Sequence, residues 1–131
     1  MKRNLVLGAV FAAICLYAAP ASANGPTGCQ SPRATTPDYM VGVWGPRQRD
    51  DGYDWVDIAP HVFTRGGGFT ETTSSHGTQT GRWCVVDNVL IWGFDGSTRT
   101  TYRIPLGSNP MRGFMSWDGG GTGEVEITRL E

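Results

Sequence analysis

After position 2 the 131-residue chain contains no lysine. Beyond that point its positive charge sits on arginines spread singly along the sequence. This leaves no basic stripe to follow a phosphate backbone, so no nucleic-acid partner is expected. Helical periodicity is equally scarce past the first two dozen residues. The 19 glycines and 8 prolines interrupt what remains, which points to an all-β fold. The patterns of enzymes are missing too: there is no Gly-x-Ser-x-Gly elbow, no pair of histidines on one face and no glycine loop opening a helix. Ser74-Ser75-His76 is local composition, because neighbours in an extended segment point apart. The one candidate metal group, His76 with Asp50 or Asp51, has no fixed ligand spacing. Asp50-Asp51-Gly52-Tyr53-Asp54 lacks the ligand ladder and closing glutamate of a calcium loop. The chain is therefore read as non-enzymatic, with no metal and no cofactor.

What is present begins with a secretory signal over residues 1–23. Lys2 and Arg3 precede an apolar run from Leu5 to Ala19, and Ala21-Ser22-Ala23 forms a small-residue cleavage site. The run is short for a span and is followed by Pro20, so a removed leader is expected, with no membrane span left behind. Export implies a periplasmic or extracellular protein starting at Asn24. Loss of Lys2 and Arg3 leaves nine basic residues against 12 acids, a net charge of about −3. The two remaining cysteines, Cys29 and Cys84, are expected to form one disulfide in an oxidising compartment. It would close a loop of about 55 residues and contribute on the order of 4 kcal/mol. A Pro-rich segment, 24–38, would thus be tied to one small domain, 39–131, with chain enough for a single core.

The densest apolar stretch of that domain, Gly81 to Phe94, predicts a β-hairpin. Asp87 and Asn88 tolerate the positive φ of a two-residue turn, and Val, Ile and Trp flank them. The turn sets Val86 opposite Val89 and Trp83 opposite Trp92. One face then carries Trp83, Val85, Leu90, Trp92 and Phe94; the other carries Arg82, Cys84, Val86, Val89 and Ile91. The bulkier face is the expected core. With Cys84 on the outer face, the disulfide would lay the Pro-rich segment over Val86, Val89 and Ile91.

Turn signals divide the rest into short strands, expected at Met40–Asp50 with a bulge or edge at Gly45-Pro46, at Tyr53–Arg65, at Phe69–Thr73 followed by a loop Ser74–Gln79, at Thr98–Leu106, at Met111–Trp117, and at Glu124–Leu130. With the central hairpin this makes an eight-stranded antiparallel up-and-down meander. Closing it into a small barrel leaves no bare edge, and a two-sheet β-sandwich is the alternative.

In the last strand Val125 and Ile127 share a face, and Arg129 falls on it. A guanidinium there needs a partner such as an indole ring. Closure would pair the first and last strands and bring Trp44 to Arg129. Gly42-Val43-Trp44 early in the first strand with an arginine late in the last resembles the signature of the calycin superfamily: lipocalins, fatty-acid-binding proteins, avidins and small bacterial metalloprotease inhibitors. The resemblance implies a barrel in which Gly42, Trp44 and Arg129 are structural. It also implies either a small apolar or cationic ligand or a protein partner.

The opposite, open end would collect Asp50, Asp51 and Asp54, then His76, Asp95 and Asp118, above Trp92, Phe94 and Trp117. An aromatic floor under an acidic rim suits a small apolar, aromatic or cationic ligand. So many rings of core parity leave a shallow mouth. Two alternatives stand beside ligand binding. One is a protease-inhibitor-like interaction module, although Cys29 pins its tail five residues after Asn24. The other is a carbohydrate-binding surface, which requires Trp55 or Trp117 to face outward.

Overall fold

The computed structural model describes residues 26–95, 100–107, 109–117 and 119–131. Nine strands make one antiparallel sheet: β1 (Gly42–Asp50), β2 (Val56–Asp57), β3 (His61–Phe63), β4 (Gly68–Thr73), β5 (Gly77–Val86), β6 (Val89–Phe94), β7 (Thr100–Pro105), β8 (Met111–Trp117) and β9 (Thr122–Arg129). Each pairs with the next from β3 to β9. β1 closes the ring by pairing with β3 on one flank and β9 on the other. Eight strands thus form the barrel and β2 is an extra strip on β1. The expected barrel is formed, and the sandwich is not.

The hairpin of β5 and β6 has the register its turn dictates, Val86 opposite Val89 through to Gly81 opposite Phe94. Asp87 and Asn88 adopt φ of 50° and 67°. Elsewhere the expected boundaries move. β1 begins at Gly42 because Asp38–Met40 coils into a 3-10 turn. The expected loop Ser74–Gln79 shrinks to 74–76, since Gly77 already pairs with Thr73. The expected second strand splits: three residues, 58–60, oppose only Gly45 and Pro46 between the pairs Trp44–His61 and Arg47–Asp57. Ile58 N–H bonds the Pro46 carbonyl, so the nitrogen of Pro46, which has no hydrogen, faces this same gap, where Pro60 also sits. Pro46 on β1 and Pro60 on the facing segment each remove a ladder donor there, and the bulge takes up the difference.

Cys29 and Cys84 are bonded, as expected. The segment they tether does more than cover the outer face. β4 stops pairing with β5 at Gly68–Arg82, and beyond that point Thr35 exchanges both backbone hydrogen bonds with Val85, at 2.9 and 2.7 Å. The N-terminal strap therefore finishes an edge that the barrel leaves open. Ile91 is buried beneath it, while Val86 and Val89 stay half-buried.

Inside, the lumen is full. Trp83, Trp92, Phe63, Phe69, Leu90, Ile104, Ile127 and Val125 are all essentially inaccessible. Their rings interlock, with Phe63 5.5 Å from Trp83 and Trp92 stacked 4.5 Å from Tyr102. At the end where β1 starts, Trp44 and Arg129 are cross-strand partners and the guanidinium lies 5.0 Å over the indole. Arg129 also donates to the carbonyls of Tyr39 and Val41, at 2.7 and 2.8 Å, and Trp44 Nε1–H donates to Met40 at 3.0 Å. Gly42 is required beside them. Its φ is 147°, and a Cβ there would lie 2.5 Å from the Glu131 carbonyl and 3.0 Å from an Arg129 nitrogen.

Candidate binding site at the open barrel end

At the end away from Trp44 lie the β1–β2 and β4–β5 connections, where β6 and β8 finish and β7 and β9 begin. Strand alternation places Glu71 of β4 on the same inward face as Phe69, and His61 of β3 on the same face as Phe63. Register sets His61 directly opposite Glu71. His61 is 0% exposed and Glu71 8%. His61 Nε2 lies 3.0 Å from Glu71 Oε2, and Trp92 Nε1 lies 3.0 Å from His61 Nδ1. An indole N–H only donates, so Nδ1 accepts. The imidazole hydrogen therefore sits on Nε2 and is donated to the carboxylate. With both ring nitrogens engaged, His61 has no free position at which to take a proton from a substrate.

Rings surround this network. Phe69, Phe94 and Tyr102 lie 5.2, 6.0 and 5.9 Å from the imidazole. Tyr102, on β7, is 3% exposed. Burial first, and then the nearby negative charge of Glu71, push its phenol well above the usual tyrosine range. Among the described residues, neither the Tyr102 hydroxyl nor Glu71 Oε1 has a hydrogen-bond partner. Two buried polar groups around His61 are thus incompletely satisfied, an uncommon condition in folded proteins.

The residues expected at this end are not all brought together. Trp92 belongs to the core: it is 0% exposed and its N–H is taken by His61. Phe94 is half-buried and reaches the mouth layer, 5.0 Å from Phe69. Trp117 ends β8 with inward parity and is half-buried, with Gly121 folded so closely against its indole that no side chain fits there. Asp51 is an exposed turn residue beside Gly52. Asp95 is exposed and accepts a 3.2 Å hydrogen bond from Thr80. His76 is exposed and engaged with Ser75 at 2.9 Å, and forms no ion pair among the described residues. Asp118 lies outside the described residues. Sequence reasoning passed over His61 and Glu71, although parity with Phe63 and Phe69 was the signal that could have found them. Among the described residues no three His, Cys, Asp or Glu side chains group to hold a metal ion, and no helix is long and apolar enough to cross a membrane.

A second surface lies on the outside of β1, β8 and β9. Trp55 faces outward, and the guanidiniums of Arg47, Arg49 and Arg112 lie 4.8, 4.7 and 5.4 Å from its ring. Glu126, outward by parity but 6% exposed, accepts hydrogen bonds from Arg47 and Arg112 at 2.7 and 2.6 Å. Arg49 bonds Glu124 at 2.9 Å. Around this ladder Tyr53, Val56 and Phe114 are left exposed, at 73%, 58% and 68%. A cleft of about 500 Å³ runs between the Asp50–Tyr53 turn, Phe114 and Glu124.

No family model, curated protein or solved structure matches the chain.

Proposed function

We propose that this is an exported, non-enzymatic binding protein of lipocalin-like build, which takes a small ligand at the open end of its barrel. The observation that carries this reading is the pair of incompletely satisfied groups, Glu71 Oε1 and the Tyr102 hydroxyl, on top of a filled lumen. The filled lumen argues against a large cargo, and the orphaned polar atoms argue for something small that completes them. Kinship with the calycins is part of the proposal. It is supported by closure of β1 on β9 and by the packing of Gly42, Trp44 and Arg129. The experiment is native mass spectrometry of the protein recovered from its own exported compartment. A co-purifying small molecule is expected, and a bare chain counts against the reading.

A protein partner is the second reading, favoured by the exposed Tyr53, Val56 and Phe114 beside Trp55. It predicts a partner chain in the same spectra that is lost in Phe114→Glu. The inhibitor version gains little support, because Cys29 fixes the tail to β5. The carbohydrate version has an outward Trp55, but its ring is already engaged by three arginines.

A further inference from the structure

We propose that the ligand is a small organic ammonium ion, held at the mouth by Glu71 Oε1 and the Tyr102 hydroxyl against the touching rings of Phe69 and Phe94. This rests on the mouth-binding reading above and names the chemistry it would select.

Glu71 is a carboxylate nearly sealed from solvent, and its sole described donor is the neutral N–H of His61. A buried negative charge with one weak partner calls for a second, stronger one. His61 cannot supply it, because Trp92 occupies its other nitrogen. The described arginines that form ion pairs do so with other carboxylates. Tyr102, whose ring lies 5.9 Å from the imidazole that Glu71 holds, offers an oxygen that no described group uses. The surrounding walls are aromatic: Phe94 lies 5.0 Å from Phe69 and 6.4 Å from Tyr102. An alkylammonium matches each of these features. One N–H meets Glu71, a second meets the phenol oxygen, and its positive charge is favourable over ring faces. A carboxylate or phosphate ligand would be repelled by Glu71, and a neutral apolar one would leave both polar atoms unmet.

The test is titration of the purified protein with n-butylammonium chloride, with n-butanol as the neutral counterpart, following the indole N–H resonance of Trp92 by NMR. That proton bonds His61 in the same network, so an occupied mouth moves it. A saturable shift with butylammonium alone is expected. Affinity should fall at least about tenfold in Glu71→Gln, which keeps an acceptor for His61 while removing the charge, and by a smaller factor in Tyr102→Phe. If butanol shifts the resonance equally, or Glu71→Gln binds as well as the parent, the ammonium assignment is overturned while mouth binding stands. If neither compound moves it, an ordered water completes the two groups and both readings fall.

Discussion

Trp44 meets Arg129 because β1 and β9 are zipped in one register, and Gly42 leaves room for the guanidinium between ring and carbonyls. Each of the three depends on the others. Trp44→Ala should cost about 3–5 kcal/mol and Arg129→Ala about 2–4 kcal/mol by urea unfolding. Ligand capture at the far end should survive in the residual folded protein, so lost binding with unchanged melting would contradict the assignment. Glu126 makes a different residue-scale case. The hydrogen bond from Arg112 leads, followed by that from Arg47 and both charges; together they outweigh burial and hold its carboxyl below the usual range. A carboxyl lowered on folding contributes stability above its unfolded value, about 4.3, and loses it as pH falls through the folded value. Glu126→Gln should thus cost about 1–2 kcal/mol at pH 7, with the gap to the parent shrinking below about pH 4; an equal gap at both pH values refutes it. Arg129 was legible because a guanidinium is unusual on a core face, and Gly42 and Trp44 through the resemblance to the calycin signature. His61 and Glu71 share parity with Phe63 and Phe69, but polar residues on such short strands carry no apolar signal of their own.

At the scale of elements, the β5–β6 hairpin was legible almost atom for atom, since a two-residue turn leaves no freedom of register. Asn88 sits at φ 67°, so Asn88→Ala should cost about 1 kcal/mol and Asn88→Gly should be neutral or slightly stabilising; the comparison is read from thermal melts. The split between β2 and β3 was less legible. A bulge was expected at Gly45-Pro46, but the extra residue falls on the opposing strand, and only the pairing partners reveal which side absorbs it. The strap was legible as a disulfide and not as a strand. Thr35 completes the edge of β5 only because β4 ends early, a fact of register between distant segments. Replacing both Cys29 and Cys84 by serine should therefore cost about 2–5 kcal/mol and also speed hydrogen exchange at the Val85 amide. Exchange at Val85 as slow as in the parent would mean that the strap pairs with that edge without help from the bridge.

For the whole molecule, the division of labour is between ends. One end is closed by Trp44, Arg129 and the strap, the middle is packed with rings, and the incompletely partnered Glu71 and Tyr102 lie toward the other end. A filled eight-strand barrel leaves no room to bind by emptying its lumen, so the depth at which a ring is removed should decide what its loss does. Phe63 lies deep, against Trp83 and Trp92 at 5.5 Å each. Phe63→Ala should cost about 3–5 kcal/mol and leave a sealed void. Phe94 is half-buried at the mouth, so Phe94→Ala should cost less, about 1–3 kcal/mol, and open a recess against Phe69 and Tyr102. Benzene added to saturation should then raise the melting temperature of Phe94→Ala while leaving the parent unmoved, because a ligand stabilises only the state that has a place for it. A parent stabilised equally by benzene would mean that its interior is already open, and that Glu71 and Tyr102 line a cup instead of capping a plug.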